Sequence, residues 1–192
     1  MHREAATELA TDDALAPLVD EHGPLALDPA DDIFERLVVS IVRQQVSMDA
    51  AAAIETRLFE AVDVTPAGIL AADTATLEDA GLSGAKTEYV QSAAREFQRR
   101  NYDKSFFEGM ETTAVIDELR EIRGIGPWTA KMFCLFCLGR PDVFPIEDLG
   151  VRKGMQQIFD SDMSRGTMTE RAKRWRPYRS YATLYLWRAV EE

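Results

Sequence analysis

Residues 119–133, LREIRGIGPWTAKMF, restrict the fold of this chain more tightly than any other segment. The first half has helical composition and ends at Gly124. Gly124 and Gly126 bracket one apolar residue, Ile125. Glycine is the residue that turns a chain sharply or lets it lie against a ligand. Pro127 follows at once, and proline suits the first turn of a helix, where its missing N–H has no partner to lose. The segment reads as helix, tight hairpin, helix, with Ile125 as an apolar pin between the two helices. The second helix presents unpaired N–H groups and a partial positive charge at its N-terminus. Glycines and helix end together make a phosphate site that holds backbone and reads no sequence. Gly-Ile-Gly alone would equally suit a plain turn between helices. The complete pattern L-x-x-I-x-G-I-G-x-x-T-A is more demanding.

The rest of the chain also reads as helix. Residues 31–45 open on acids and place Ile33, Phe34, Leu37, Val38, Ile41 and Val42 on one face. Ser47 caps a helix beginning MDAAAA, Pro66 starts a short one and Thr74 caps TLEDA. GLSGAK at 81–86 is a turn before a helix that runs through Arg100. Thr112 or Thr113 caps AVIDELREI. Residues 148–159, 167–175 and 181–190 complete about ten helices. No segment alternates with the period of a strand, so the expected class is all-α.

The hydrophobic content of 46% is that of a globular protein, and no apolar run approaches the ~18 residues needed to cross a bilayer. The N-terminus is acidic and lacks the apolar core of a signal peptide. Cys134 and Cys137 are the only cysteines, and His2 and His22 the only histidines. A lone C-x-x-C inside the apolar run MFCLFCLG reads as two buried thiols rather than a zinc or redox site. A reducing cytoplasm is the default compartment.

The formal net charge is −11. Residues 1–119 hold 9 Lys+Arg against 24 Asp+Glu, and residues 120–190 hold 13 against 7. The hairpin thus lies in the basic stretch, as an anion site requires. Lysine is scarce, 5 against 17 arginines. An acidic, lysine-poor composition suits a high-salt cytoplasm, where screening weakens both repulsion and attraction of nucleic acid.

The segment DVFPIEDLG, residues 142–150, delivers a carboxylate at Asp148, about twenty residues after the hairpin. Acids at helix starts are ordinarily caps, and Glu147 suits that role. A phosphate clamp followed at this distance by an acid points instead to chemistry on DNA.

These residues resemble the HhH-GPD superfamily of DNA glycosylases, and within it most closely the DNA-3-methyladenine glycosylase II type. The resemblance rests on SIVRQQVSMDAA (40–51), GLSGAKTEYV (81–90), GIGPWTAKMF (124–133), VFPIEDLGVRKG (143–154) and RWRPYRSYATLYLWR (174–188), and so spans nearly the whole chain. It implies a two-lobed helix-hairpin-helix fold in one domain over residues 1–192. One lobe is about 40–130 with the hairpin, and the other 1–39 with 131–192. There is no room for the extra N-terminal β-domain of some members. The implied activity is flipping and excision of alkylated bases, of the 3-methyladenine and 7-methylguanine type, from damaged double-stranded DNA by a monomer.

The resemblance carries the catalytic aspartate onto Asp148, which would stabilise oxocarbenium-like charge on the sugar. Strand-cutting members hold a lysine two residues after the second hairpin glycine, where it attacks the sugar. Trp128 stands there, and Lys131 is three residues further on. The expectation is therefore a monofunctional enzyme with water as nucleophile. The four-cysteine iron–sulfur loop of another branch is absent, so no redox or organic cofactor is implied. A structural Na+ or K+ is implied at the backbone carbonyls of Arg120, Ile122 and Ile125.

A flipped alkylated base is cationic and favours aromatic faces, at about 0.5–2 kcal/mol each. The resemblance favours Trp128 and Trp187 as pocket walls and places Met132 where some members hold a tyrosine. Trp175, Tyr178, Tyr181 and Tyr185 read better as helix-packing residues. Gln45 takes the position of the side chain that fills the hole left by the flipped base, and Gln44 would face the pocket. Both glutamines would also suit a solvated helix end. Gly124, Ile125, Gly126 and Thr129 make the expected DNA contact at the hairpin. Arg152, Lys153, Arg174, Arg176 and Arg179 are further phosphate candidates, or a solvated basic face. The rival functions are a glycosylase/lyase for oxidised bases and a non-enzymatic hairpin module that tethers a partner to DNA.

Overall fold

The computed structural model describes residues 1–159 and 162–191. Among these, twelve α-helices and one short 3-10 segment make up the regular structure, and no strand occurs. The chain divides into two compact units, Met1–Pro29 with Gly139–Glu192, and Ala30–Leu138.

The continuous unit holds α3 (Ile33–Val42), α4 (Met48–Ala61), α5 (Pro66–Ala71), α6 (Thr74–Asp79), α7 (Gly84–Arg100), α8 (Thr112–Arg120) and α9 (Pro127–Phe136). α3 starts where expected because Asp32 accepts the N–H groups of Phe34 and Glu35 at 2.8 and 2.9 Å. Its face of Ile33, Phe34, Leu37, Val38, Ile41 and Val42 is buried, as the spacing predicts. α3 packs on α7 and α9. The aromatic rings of Phe34, Phe97, Tyr102, Phe107 and Phe133 follow one another edge-on or tilted through this core.

Ser47 caps α4 and Ser83 caps α7, contacts worth about 1 kcal/mol apiece. Two caps move by one residue. Asp73 rather than Thr74 accepts the Thr76 N–H, and Glu111 precedes α8 without a side-chain bond. Adjacent cap-forming residues cannot be ranked by pattern alone.

The unit boundaries at 29/30 and 138/139 lie outside the boundaries near 40 and 130 read from the motifs. α3 and α9 bury their apolar faces in the same core, so neither can be cut from it. The Ala30 N–H reaches the Phe136 carbonyl at 2.8 Å and ties the two ends of the unit together.

The discontinuous unit holds α1 (His2–Leu9) and α2 (Ala16–His22), then α10 (Leu149–Ile158), α11 (Arg165–Arg171), a 3-10 segment at Ala172–Trp175, and α12 (Arg179–Glu191). Both N-terminal helices fall in a stretch whose acids hide a weak apolar pattern, and they raise the count above the expected ten. Leu15, Val151, Met155, Trp175, Tyr181, Tyr185 and Leu186 share one buried cluster. The polar ends of two of its aromatics are satisfied from the N-terminal segment. The Tyr185 hydroxyl donates to the Gly23 carbonyl at 2.8 Å, and the Trp175 indole N–H donates to Asp12 at 3.0 Å. Trp175, Tyr181 and Tyr185 therefore pack helices.

Both cysteines are buried thiols outside any disulfide. Burial pushes the Cys137 thiol well above its ordinary value. No helix among the described residues is long and apolar enough to cross a membrane.

Candidate functional site

The hairpin forms as the sequence requires. α8 ends at Arg120, Gly124 adopts a φ of +90°, and α9 begins at Pro127 with Gly126 as N-cap. Ile125 is 5% exposed, the buried pin between α8 and α9. The two glycines differ in what they answer to. A Cβ on Gly124 would lie 2.1 Å from Cγ of Tyr89, so both conformation and space demand glycine there. A Cβ on Gly126 would meet nothing within 4 Å, and its φ of −89° suits any residue. No contact within the chain explains the second glycine.

The arginines beside the hairpin are engaged with acids. Arg123 pairs with Glu88 at 2.6 Å and Arg120 with Asp117 at 3.8 Å, both at exposed positions. An anion here would meet backbone N–H groups first.

The chain leaving α3 is fastened at three points. Lys86 Nζ donates to the Val42 carbonyl, Arg43 pairs with Glu55 at 2.7 Å, and Gln44 reaches the hairpin. Burial lowers the Lys86 pKa from its ordinary 10.5. Gln44 Nε2 donates to the Gly124 carbonyl at 3.0 Å and to Thr129 Oγ1 at 2.9 Å. Gln45 follows, exposed and with a φ of +55°. A left-handed non-glycine residue costs about 1 kcal/mol and persists only where its surroundings hold it. Val46 and Met48 beside it are 38% and 66% exposed. Trp128 is half-buried. Met132 and Thr129 are only 4% and 2% exposed.

In the other unit, Asp148 caps α10, and its Oδ1 accepts the Val151 N–H at 2.9 Å. The same oxygen accepts the indole N–H of Trp187 at 2.9 Å. Gly150 makes that contact possible, because a Cβ there would lie 2.8 Å from Trp187 Cδ1 and 3.1 Å from Asp148 Oδ1. The loop before the acid is braced by Arg152, whose Nη1 donates to the carbonyls of Ile146 and Glu147. Leu149, next to Asp148, is 57% exposed despite its size. Composition gave no sign of Gly150 as a spacer or of Arg152 as a loop brace.

The C-terminal arginines depart from expectation. Arg179 is held by the Asp142 carboxylate, with Nε at 2.6 Å and Nη2 at 2.9 Å, and its side chain is 16% exposed. Arg176 lies 3.8 Å from the same acid and Arg174 lies 3.2 Å from Asp12. The basic stretch is also shared between the units. Residues 30–138 carry 11 Lys+Arg and 18 Asp+Glu, and residues 1–29 with 139–192 carry 11 and 15, so each unit is net acidic. Lys153 remains exposed on α10. Among the described residues, no group of three or more His, Cys, Asp or Glu is placed to hold a metal.

The model of the HhH-GPD superfamily base excision DNA repair proteins matches residues 38–179. Among solved structures, a DNA-3-methyladenine glycosidase from Bacillus halodurans is 34% identical with a TM-score of 0.82, over 97% of this chain and 88% of its own. The Schizosaccharomyces pombe 3-methyladenine DNA glycosylase Mag1, in complex with abasic DNA, is 26% identical with a TM-score of 0.90, over 98% and 97%. YfjP of Bacillus subtilis (strain 168), by name a candidate DNA-3-methyladenine glycosylase, is 31% identical over 191 residues and 93% of this chain, which spans 66% of that protein. With the family model covering the first four motifs and the start of the fifth, and with a hairpin and a capped Asp148 built as described, this chain belongs to the HhH-GPD superfamily of base excision DNA repair proteins.

Proposed function

We propose that this protein is a monofunctional DNA glycosylase that removes alkylated bases of the 3-methyladenine and 7-methylguanine type from damaged duplex DNA as a monomer. The observation that carries the reading is Asp148, a carboxylate whose Oδ1 is oriented by the Val151 N–H at the α10 N-terminus and by the Trp187 indole N–H. Such a carboxylate remains able to answer positive charge that develops elsewhere. As the bond from C1′ to the base nitrogen breaks, the electron pair leaves with the base and the sugar becomes oxocarbenium-like. Asp148 stabilises that sugar and orients the water whose oxygen adds at C1′, and the water's surplus proton passes by way of the carboxylate to solvent. A base that is already cationic leaves as a neutral molecule and needs no general acid.

The relatives named above as 3-methyladenine enzymes support the substrate class. Trp128 at the position of the strand-cutting lysine supports hydrolysis without a lyase step. In this reading the hairpin N–H groups of Gly126, Trp128 and Thr129 hold a DNA phosphate, Gln45 fills the vacated stack, and Trp128 offers an aromatic face to the base. Trp187 acts on Asp148 as well as beside the base. A monovalent cation at the carbonyls of Arg120, Ile122 and Ile125 belongs to the same proposal. The Ile122 carbonyl already accepts the Ile125 N–H at 3.1 Å and keeps one lone pair for an ion. A reducing cytoplasm suits the two buried thiols.

The test is release of 3-methyladenine and 7-methylguanine from alkylated duplex DNA by wild type and by Asp148→Asn. Wild type is expected to release both, and the variant to lose at least a hundredfold in rate. Equal release by the two, or none by wild type, would remove the assignment.

A further inference from the structure

We infer that Gln44 is a positioning residue, a strut that fixes the Gln45 wedge to the phosphate clamp, and not a wall of the base pocket. The inference rests on the proposed function, because it needs Gln45 to enter the duplex and the hairpin to hold a phosphate. A primary amide has two N–H donors. Gln44 directs Nε2 at the hairpin twice, to the carbonyl of Gly124 and to Oγ1 of Thr129. Gly124 is the left-handed turn residue of the clamp, and Thr129, 2% exposed, lies in the first turn of α9. The donors of Gln44 are therefore committed to the clamp from both sides of the turn.

The next residue is Gln45, exposed and held at a φ of +55°. One peptide separates a side chain anchored to the clamp from one aimed outward. A phosphate seated on the hairpin thereby sets where Gln45 stands relative to the helical stack. The strut converts phosphate binding into wedge placement, at a distance of 80 residues in sequence. Its loss leaves the clamp able to bind and the wedge badly aimed.

The strut and the pocket wall differ in one measurable way. Flipping a paired base costs unpairing, and flipping one that faces a gap costs much less. A strut matters only where the wedge has work to do, whereas a pocket contact matters for either base. The experiment uses Gln44→Met, which keeps length and loses both donors, and Thr129→Val, which is isosteric and loses one acceptor. Each is given a duplex with one 7-methylguanine, either paired with cytosine or facing an abasic-site analogue. Single-turnover release is measured at saturating enzyme, with 2-aminopurine beside the lesion to report flipping whether or not the bond breaks.

For Gln44→Met, flipping and release of the paired lesion are expected to fall about tenfold. Both should stay within about twofold of wild type opposite the gap, as should affinity for undamaged duplex. Thr129→Val should lose less, and the double variant no more than Gln44→Met alone. An equal loss in both contexts, or no loss in either, overturns the strut. Loss of affinity for undamaged duplex also overturns it, because Gln44 would then serve the clamp itself. Should Gln44→Met fail to fold, Gln44→Leu, which likewise lacks both donors, decides by the same comparison. If wild type flips the base without releasing it, the proposed function fails and the flipping signal still decides the strut.

Discussion

Replacing the two hairpin glycines separately, Gly124→Ala and Gly126→Ala, distinguishes a fold requirement from a ligand requirement. At Gly124 the new Cβ must take a φ of +90° and sit 2.1 Å from Tyr89 Cγ, 2.4 Å from Cδ1 and 2.6 Å from Cβ. These atoms are the root of the ring and cannot rotate away as a side-chain tip would. The left-handed conformation costs about 1 kcal/mol or more and the overlap about 1–3 kcal/mol. Reduced freedom of the unfolded chain returns about 0.4–1 kcal/mol. The net loss is about 2–3 kcal/mol, or a fall of roughly 5–10 °C in Tm for a chain of this size. At Gly126 the Cβ points into open space at an ordinary φ. Only the weaker capping preference of alanine is lost, about 1 kcal/mol or less. The open space is where a phosphate would approach. Gly126→Ala should therefore bind duplex DNA at least tenfold more weakly while remaining nearly as stable as wild type. The assays are thermal unfolding followed by circular dichroism, and fluorescence anisotropy with a labelled duplex at fixed salt. Equal destabilisation by the two substitutions would refute the reasoning on packing. Unchanged DNA affinity in Gly126→Ala would refute the reading of the hairpin as a clamp.

Arg179→Ala should destabilise the fold by about 1–2 kcal/mol, because it takes both guanidinium donors from the Asp142 carboxylate and leaves it Arg176 at 3.8 Å. The salt dependence of DNA binding should stay as in wild type, whereas loss of a true phosphate contact would reduce the slope by about 1. At high pH, stability should fall through deprotonation of Cys137 and Tyr102. Burial raises both above their ordinary 9.0 and 10.0, and the Tyr102 hydroxyl also donates to Glu118. A group whose pKa is raised on folding contributes fully below its unfolded value and loses that contribution as pH climbs past it. Urea unfolding of wild type and Cys137→Ala from pH 8 to 10.5 isolates the thiol. Their difference in stability should shrink above about pH 9, and a widening difference would contradict the burial of the thiol.

Local features of this protein were legible in its residue order because the interactions behind them span three or four positions. Ser47 caps the helix that follows it, the apolar face of α3 is the one its spacing marks, and Ile125 is buried at the hairpin. The helix–hairpin–helix and the all-α class follow from such signals alone. Where two neighbouring residues could each serve, as at Asp73 and Thr74, residue order did not choose. The acid-rich helices α1 and α2 carry too weak an apolar pattern to be seen before their partners in α12 are known.

Tertiary structure decided what the polar side chains do, because their partners lie far away in the chain. Arg179 and Arg152 read as phosphate contacts until Asp142 and the carbonyls of Ile146 and Glu147 come within reach. Trp187 reads only as an aromatic wall until its N–H meets Asp148, 39 positions earlier, across a glycine with no Cβ to hold them apart, which adds a second role. Gln44 reads as a pocket residue until the hairpin takes its amide. Even the basic segment lost its simple meaning, since it is shared between two net-acidic units and half of its arginines are matched with acids. A residue's type limits which bonds it can form. The fold alone brings the partner, and hydrogen bonds and ion pairs fade within a few ångströms, so the chemistry of this site is settled by proximity.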